Sequence, residues 1–358
     1  MKTLEGVLVA DFTHAVAGPF CTLHLARLGA DVVKVERPDG GDDFRSRIEQ
    51  SGQPSTFIAL NSGKRSLALD LKSDTGRAAL KLLAQRADVL VENFRPGVAA
   101  TLGLGWSDLS ALNPRLIYVS ISGFGQEGPL RDAPAIEWSV QAASGMTSAY
   151  VDPDGDRLRL GLSVLDPFTG YMAFAQVLAA LRERDQTGLG KRLDVAMIDA
   201  ATTLMWPQVV ETLLSEPGRA KPRLGRRGTM ARFRGSRSDI FVAALQQRWF
   251  EVLCEEIGAL DLLVDERFRD PAARAAAPDE LHAALSGRIA GQDADSLATR
   301  LNRRGVPAAV IRTLEEAIRG PHRTTRLAVD AAQLVAPALG QHTAEILAEL
   351  GFETETAR

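Results

Sequence analysis

The sequence predicts an α/β protein with a mostly parallel sheet, and three observations lead to this prediction. Short β-branched runs alternate with helical patterns along the first 130 residues, which is typical of a parallel sheet with helices on both faces. The length of 358 residues is sufficient for two domains, each with its own core. At about residue 216 the composition changes to a stretch rich in Arg, Gly and Pro that lacks periodicity. We therefore expect a smaller second unit beyond it.

The elements of the first part follow one another in regular order. Strands are predicted at residues 6–13, 31–36, 65–71, 88–94 and 116–122, where short β-branched runs are bounded by polar or turn residues. Helices are predicted at residues 18–30, 73–87 and 106–112, where apolar residues recur with helical spacing.

The strongest helix signal lies at residues 166–184, DPFTGYMAFAQVLAALRER. Asp166 is expected at the N-cap and Pro167 in the first turn, while Gly188 lies just beyond the predicted end. An aspartate at the N-cap accepts a hydrogen bond from the backbone of the first turn, so capping alone is a sufficient reason for its presence.

The second part of the chain is predicted to form a smaller unit. Residues 216–239 look like a linker with a loop, because Gly, Pro and Arg dominate them. Beyond them we predict the strand DIFVAAL, a helix around QQRWFEVLCEEIG, two Ala- and Arg-rich helices and the strand PAAVIRT. Residues 326–358 then return to a strand and a helix, HTAEILAELG.

Composition and charge exclude several classes of partner. The formal net charge is -3 and arginine is scattered, so nucleic acid is not expected to bind. Two cysteines cannot build a disulfide framework or a cysteine-based metal site, which favours a reducing compartment. No apolar run approaches the ~18 residues that cross a bilayer, and the first residues lack the features of a signal peptide. We therefore expect a cytoplasmic protein without membrane partners.

Gly123, Gly125 and Gly128 spell G-x-G-x-x-G after an apolar run, which is also the spelling of a dinucleotide-binding loop. That loop requires a helix after the third glycine and an acidic residue about 20 positions further on. Pro129 and Pro134 interrupt any helix here, and the later region is itself helix-like. We interpret the glycines as an irregular turn at the end of a strand, and a nicotinamide-dependent dehydrogenase is disfavoured.

Seven segments, taken together and in order, indicate a protein family more specifically than any one of them does. They are ADFTHAVAGPFCTLHLARLGADVVKVERP, LNSGKRSLALDLK, ADVLVENFRPG, SISGFGQEGP, GLSVLDPFTGYMAFAQVLAAL, GVPAAVIRTLEEA and LGQHTAEILAELG. Their order and spacing resemble the family III CoA-transferases, the CaiB/BaiF family, which includes formyl-CoA transferase and α-methylacyl-CoA racemase. The resemblance covers nearly the whole chain and is weakest at residues 205–237.

The resemblance implies a Rossmann-like large domain with an inserted small α+β domain. The large domain would comprise residues 1–205 and be completed by residues 326–358. Residues 206–237 would form the linker and loop, and residues 238–325 the small domain. The family's two chains thread through each other, so an interlocked homodimer is expected as well.

The resemblance also assigns chemistry to Asp166, whose carboxylate would attack an acyl-CoA thioester to give a mixed anhydride. The released CoA thiolate would convert the anhydride into an aspartyl-CoA thioester, and a small carboxylic acid would react through a second anhydride. CoA would thus be a substrate, with no tightly bound cofactor and no metal. Glu137 and Gln141, one helical turn apart, would support the acyl group or an oxyanion. A solvated helix face is the alternative for this pair.

For CoA itself the resemblance points to turns at or near the carboxyl ends of strands, where open α/β sheets bind ligands. The matching positions are His14, Val16, Ala17, Arg37, Leu69, Lys72, Asn93, Phe94 and Arg95. Arg37, Lys72 and Arg95 would bind phosphates, and Phe94 would pack on the adenine. The alternative is that Asn93 only makes a turn and the three cations are solvated.

Two departures from the family pattern bear on the reaction. Racemases of the family carry a histidine directly before the acidic residue at 137, whereas this chain has Ile136, which cannot transfer a proton. Val16 and Thr101 replace a glutamine and an arginine of formyl-CoA transferase, which argues against formate and oxalate. A CoA-transferase is therefore expected, with an acyl-CoA racemase or a catalytically silent CoA-binding homologue as alternatives.

Overall fold

The computed structural model describes residues 2–49, 51–52, 54–149, 162–216, 229–319 and 334–352. Within this part of the chain two compact units are found. The larger comprises the residues up to 149 together with 162–216 and 334–352, and the smaller comprises residues 229–319. In the sequence, the smaller unit therefore lies between two parts of the larger one.

A parallel sheet forms the centre of the larger unit. Its strands are β1 Leu8–Phe12, β2 Asp31–Glu36, β3 Arg65–Ala68, β4 Val89–Glu92, β5 Ile117–Ser122 and β6 Arg192–Ala196. Among the described residues they form one six-stranded sheet of order β3-β2-β1-β4-β5-β6, and every neighbouring pair is parallel. The order reverses between β1 and β4, which is the point where such a sheet binds ligands. The predicted α/β fold with a parallel sheet is confirmed, although β6 was not predicted.

Helices cover both faces of this sheet. They are α1 Ala17–Arg27, α2 Ser55–Asn61, α3 Asp74–Arg86, α4 Val98–Thr101, α5 Trp106–Leu112, α6 Glu137–Ala143, α7 Met146–Ala149, α8 Leu165–Thr187, α9 Met197–Leu204 and α10 Trp206–Leu214. One core contains Leu80 and Leu83 of α3, and the other contains Cys21 of α1 and Val177 of α8. Because both faces are covered, strand residues pointing either way are apolar, which explains the runs in the sequence.

The smaller unit is an α+β unit with a separate antiparallel sheet. Its strands β7 Met230–Arg234, β8 Asp239–Ala243 and β9 Ala308–Val310 pair in the order β7-β8-β9 within the described residues. Its helices are α11 Gln247–Glu256, α12 Asp261–Val264, α13 Pro271–Ala276, α14 Pro278–Ile289, α15 Ala294–Arg303 and α16 Leu314–Arg319. Helix and strand residues bury one common core that includes Phe233, Ile240 and Leu297.

Part of the predicted linker and loop has regular structure. Residues 206–214 are helical in α10, and residues 230–234 are extended in β7. In β7 the buried Ala231 and Phe233 alternate with the exposed Arg232 and Arg234, which is the period of a strand with one buried face. The density of arginine and glycine around it concealed this alternation in the sequence. Residues 217–228 of the predicted loop lie outside the described part.

The chain returns to the larger unit through α17, Thr343–Glu349, which packs beside the edge strand β3. The Ser66 N–H donates to His342 Nδ1 at 3.1 Å, and the His342 N–H donates to the Ser66 carbonyl at 3.0 Å. The Ala68 N–H donates to Thr343 Oγ1 at 3.0 Å. The outer edge of the sheet is therefore covered by a segment far along the chain. Of the strand predicted near here, residues 326–333 lie outside the described part, and residues 334–342 contain none.

Two further observations concern membranes and metals. Across the described helices, no apolar stretch reaches the length that a bilayer crossing requires. Within the same residues, no cluster of three or more His, Cys, Asp or Glu side chains has the arrangement of a metal site. Cys21 and Cys254 are both free and buried. The cytoplasmic location stays a prediction.

Candidate active site

The N-terminus of α8 is capped by Glu137, which lies on a different helix. The helix begins at Leu165 with Val164 as its N-cap, so the prediction that Asp166 is the N-cap residue is wrong. Glu137 Oε1 accepts the Val164 N–H at 2.8 Å and the Leu165 N–H at 3.1 Å, while its Oε2 accepts the Asp166 N–H at 3.3 Å. An anion at this position satisfies free backbone donors and complements the helix dipole. The capping oxygens therefore come from Glu137 and not from Asp166.

Two neighbours fix the Glu137 carboxylate. Gln141 Nε2 donates to Glu137 Oε1 at 2.7 Å, and the Ser163 hydroxyl donates to Glu137 Oε2. Glu137 and Gln141 are 4% and 1% exposed, so the alternative of a solvated helix face is wrong. Burial raises the pKa of Glu137, but the hydrogen bonds from Ser163 and from the α8 backbone outweigh it and the pKa is lowered overall. Glu137 is therefore an ionised carboxylate whose oxygens are already occupied.

Asp166 occupies an unusual electrostatic position in the first turn of α8. Its side chain is mostly withdrawn from water, and this desolvation, together with the negative charge of Glu137, raises the pKa of Asp166 to about 6. A carboxyl group with a raised pKa is more basic than an ordinary aspartate, and such shifts often mark reactive groups. Near neutral pH the side chain is still mainly the carboxylate, which is the form that can act as a nucleophile.

Close packing of α1 and α8 determines where Asp166 lies. A Cβ on Gly170 would fall 2.3 Å from the Ala17 carbonyl oxygen, so the two helices meet backbone against backbone. Helix α1 starts directly after β1, and α8 ends shortly before β6, so both helices begin at the carboxyl edge of the sheet. Asp166, one turn before Gly170, is consequently at the same edge as the β1–α1 turn.

The β1–α1 turn, residues 13–16, is held in a strained shape. Ala15 has a positive φ of 63°, which non-glycine residues rarely adopt. The Asn93 side chain binds both backbone groups of His14: the His14 N–H donates to Asn93 Oδ1 at 3.0 Å, and Asn93 Nδ2 donates to the His14 carbonyl at 2.8 Å. Asn93 thus does more than shape its own turn, because it joins the loops after β1 and β4 where the strand order reverses.

A cleft with a cavity volume of about 320 Å³ opens at the carboxyl ends of β1 to β4. Five of the nine predicted CoA-binding residues line it, namely His14, Arg37, Leu69, Lys72 and Phe94. The remaining lining residues are Phe12, Thr13, Val35, Glu36, Gly41, Asp42, Asp43, Asp70, Leu71 and Leu102. The other four predicted residues, Val16, Ala17, Asn93 and Arg95, lie beside the cleft in the same turns or helices rather than in its wall. The cleft combines an apolar floor with a charged rim.

Arg37, one of the charged residues that line the cleft, is already partnered. Arg37 donates through Nη2 to Asp43 Oδ1 at 2.6 Å and through Nε to the Gly41 carbonyl at 2.9 Å. Both members of this ion pair are largely exposed, so a phosphate can displace the aspartate at little cost. Burial lowers the pKa of His14, so the imidazole is neutral near pH 7.

Buried lysines beneath the turn were not predicted as site residues. Lys64 donates through Nζ to Asp11 Oδ2 at 2.9 Å, and both side chains are fully buried. Asp11 Oδ1 in turn accepts the Thr13 N–H at 2.9 Å. A second buried lysine, Lys34, lies in β2 and reaches Asp42 in the cleft wall. A lysine flanked by valines within a buried strand was the sequence signal that could have identified it.

Comparison with known proteins agrees with this architecture. CoA-transferase family III matches residues 4–350 of the chain. The acetyl-CoA:oxalate CoA-transferase of Acetobacter aceti is 38% identical over 328 residues, covering 90% of this chain and 84% of that protein. The succinate–glutarate CoA-transferase of Agrobacterium fabrum is 32% identical and covers 99% and 97%. The crystal structure of a CaiB/BaiF family protein from Brucella suis superposes with a TM-score of 0.87 at 31% identity, covering 98% and 99%.

A doubly wound sheet with a cleft at its switch point defines a class of α/β proteins that bind nucleotide-containing ligands. Within that class the chain belongs to CoA-transferase family III, the CaiB/BaiF family, and it is a CoA-transferase. CoA thioesters are therefore its substrates.

Proposed function

We propose that the protein exchanges CoA between an acyl-CoA thioester and a free carboxylic acid, with Asp166 as the covalent nucleophile. The observation that supports this role best is the pairing of Asp166 with Glu137. Because Glu137 caps α8, no described residue hydrogen-bonds the Asp166 carboxylate, and desolvation with the neighbouring charge raises its pKa to about 6. A carboxylate that has lost part of its hydration attacks a carbonyl more readily than one in water.

In the first half-reaction, one Asp166 oxygen attacks the thioester carbonyl carbon and the C–S bond breaks. The products are a mixed anhydride and the CoA thiolate. The thiolate then attacks the Asp166 carbonyl carbon of the anhydride, which releases the donor acid as a carboxylate and leaves an aspartyl-CoA thioester. No oxidant or additional reactant is required, because the first step exchanges a C–S bond for a C–O bond and the second exchanges a C–O bond for a C–S bond.

In the second half-reaction, the acceptor carboxylate attacks the aspartyl-CoA thioester and expels the thiolate. The thiolate attacks the acceptor side of the new anhydride, which yields the acceptor's CoA thioester and restores the Asp166 carboxylate. In both half-reactions the protein must hold the thiolate next to the anhydride. Binding in this orientation raises the effective concentration of the thiolate at the carbonyl carbon.

Glu137 and Gln141 act on this chemistry indirectly. All hydrogen bonds described for Glu137 are ones that it accepts, and an ionised carboxylate has no hydrogen to offer an oxyanion. We therefore assign Glu137 to positioning α8 and tuning Asp166, and Gln141 to holding Glu137. This replaces the expectation that the pair contacts the acyl group.

CoA is proposed to bind with its nucleotide in the cleft at the ends of β1 to β4. Phe94 and Leu69 offer apolar surface to the adenine, and Arg37 and Lys72 lie at the rim where phosphates would be placed. Arg95 would extend this charge along the β4–α4 loop, and Asn93 would fix His14. Val16 and Ala17 begin α1 beside α8, so the pantetheine arm would pass them toward Asp166.

The acceptor is proposed to be a small dicarboxylic acid, because the relatives' names include oxalate, succinate and glutarate. The 38% identical relative acts on oxalate, so oxalate belongs in the test panel despite the differences at Val16 and Thr101. A racemase is disfavoured, because Ile136 is 65% exposed and carries no group that could exchange a proton.

A homodimer, interlocked as in the family, is part of the proposal. Helix α10 buries none of its described residues, and Trp206, Leu213 and Leu214 are 59%, 76% and 84% exposed. Apolar surface of this extent usually lies against a partner. Light scattering coupled to gel filtration should give twice the chain mass, and a monomer that is fully active would contradict the proposal.

The experiment that tests the mechanism is mass spectrometry after incubation with acetyl-CoA or succinyl-CoA and no acceptor. A CoA-sized adduct on the peptide containing Asp166 is expected, and adding oxalate or glutarate should discharge it. Solvent deuterium at the α-carbon without such an adduct would instead support a racemase.

A further inference from the structure

Lys34 is a fully buried cation in the middle of β2. Its side chain is 0% exposed, and it is among the largest fully buried side chains of the described residues. Burying a lysine is costly unless its ammonium is paired and hydrogen-bonded, so its partners are worth locating. The catalytic steps at Asp166 do not use this group.

The partners of Lys34 belong to two different loops that line the cleft. Its Nζ donates to the Thr13 carbonyl in the β1–α1 turn at 2.8 Å and to Asp42 Oδ2 in the loop after β2 at 3.0 Å. Thr13 and Asp42 both line the cleft. One buried ammonium, which is not itself part of the lining, therefore connects these two loops.

Both points of attachment are themselves fixed. Thr13 is held by Asp11, whose Oδ1 accepts the Thr13 N–H at 2.9 Å and its hydroxyl at 2.5 Å. The Asp42 N–H donates to Glu36 Oε1 at 3.0 Å. Arg45 donates through Nε to Glu36 Oε1 and through Nη2 to Glu36 Oε2, each at 2.7 Å. Each loop is tied to its own strand by these bonds, and the direct side-chain link between the two loops is the one through Lys34 and Asp42.

We propose that Lys34 and Asp42 are positioning residues that set the width of the CoA cleft. His14 follows Thr13, and Asp43 with its partner Arg37 adjoins Asp42, so this link fixes the spacing of the side chains that face the ligand. The inference rests on the proposed function, because it takes CoA as the occupant of this cleft. A positioning role predicts an effect on CoA affinity with little effect on the chemical step.

The test compares Asp42→Ala with Asp42→Asn, since Lys34→Met removes a buried cation and can fail to fold. The alanine variant loses the Asp42 acceptor for Lys34 and the oxygen that accepts the Phe44 N–H. The asparagine variant keeps one oxygen, which can still accept from the Lys34 ammonium. Glu49→Gln is the control, because Glu49 lies in the same loop and binds Thr56 rather than the cleft wall. CoA affinity is measured by calorimetry, KM and kcat by steady-state turnover, and folding by thermal unfolding.

We expect Asp42→Ala to weaken CoA binding and raise KM for acyl-CoA by about tenfold, with kcat within about twofold. Asp42→Asn should lose about threefold, because an amide oxygen still accepts from the ammonium. Glu49→Gln should match the unsubstituted protein in affinity and in KM.

The outcomes separate the two proposals. If folded Asp42→Ala binds CoA as tightly as the unsubstituted protein, or loses kcat while KM is unchanged, this inference is wrong and the proposed function stands. If the unsubstituted protein binds no CoA, the proposed function and this inference are both wrong.

Discussion

The Glu137 carboxylate accepts the backbone N–H of Asp166 at 3.3 Å, and the same negative charge contributes to raising the pKa of Asp166. One residue thus anchors the helix that carries the proposed nucleophile and tunes that nucleophile. Because the capping group comes from α6, the carboxylate in the first turn of α8 is not used as the cap.

Replacing Asp166 by Asn should abolish CoA transfer while leaving the fold intact. An amide cannot form the anhydride, so turnover should fall by about 10³-fold or more. The adduct seen by mass spectrometry should disappear together with turnover. Asp185→Asn, an exposed aspartate on the same helix, serves as the control and should retain full activity. Substantial turnover by Asp166→Asn would remove the residue from the mechanism.

The same variant should be more stable than the unsubstituted protein at neutral and higher pH. The folded pKa of Asp166 is about 6, against 3.8 for an ordinary aspartate, so ionisation of this group opposes folding. The destabilisation is absent below pH 3.8, grows up to pH 6 and is then constant. At pH 8 we expect a gain of about 3 kcal/mol in the free energy of unfolding for Asp166→Asn. Urea titrations at pH 4.5 and pH 8 measure the difference, and equal gains at both would contradict it.

The pH dependence of kcat/KM for the acyl-CoA should follow the same group. Only the carboxylate attacks, so the rate should decrease on acidification below an apparent pKa of about 6. Initial rates between pH 5 and pH 8, with stability checked at each point, give the profile. A rate that stays constant down to pH 5 would mean that a group other than Asp166 controls the attack.

Glu137→Gln should shift this profile to lower pH. Removing the negative charge takes away one of the two causes that raise the pKa of Asp166, although burial remains. The amide also directs hydrogens at backbone donors, so the free energy of unfolding should fall by about 1–2 kcal/mol. Glu127→Gln, an exposed change in the preceding loop, should alter neither quantity. An unchanged profile in folded Glu137→Gln would show that the residue only caps α8.

Gly170→Ala tests whether the contact between α1 and α8 positions Asp166. The added methyl would meet the Ala17 carbonyl oxygen at 2.3 Å, so the helices must separate. We expect a loss of about 1–3 kcal/mol in stability, with a drop in kcat. Gly287→Ala in α14 meets nothing within 4 Å and should gain about 0.5–1 kcal/mol instead. Full kcat in Gly170→Ala would separate this packing from catalysis.

Elements with clear periodicity could be predicted from the sequence, whereas those defined by distant partners could not. Strand β2 was predicted with its observed bounds, because DVVKVE is a β-branched run between turns. Strand β6 was missed, since RLDVA mixes charge with apolar residues and owes its conformation to pairing with β5. The N-cap of α8 was misassigned for the same reason, as a residue 29 positions away supplies the capping oxygens.

The residues of the candidate site also divide into those that local sequence predicts and those that depend on distant partners. His14, Arg37, Leu69, Lys72 and Phe94 follow strands that end at one edge, and the structure brings them together in one cleft. The link from Lys34 to Asp42 was not foreseen, because local sequence does not state which carboxylate a buried ammonium will meet.

The segment around His342 and Thr343, which hydrogen-bonds to the edge strand β3, is translated late, and this affects folding during synthesis. Strand β3 is synthesised some 275 residues before this segment. The edge of the sheet therefore stays uncovered while the smaller unit is being translated. The unpaired backbone groups of an exposed edge strand can hydrogen-bond to other nascent chains. Premature termination upstream of this segment should therefore yield insoluble product, and chaperone demand should persist until synthesis is nearly complete.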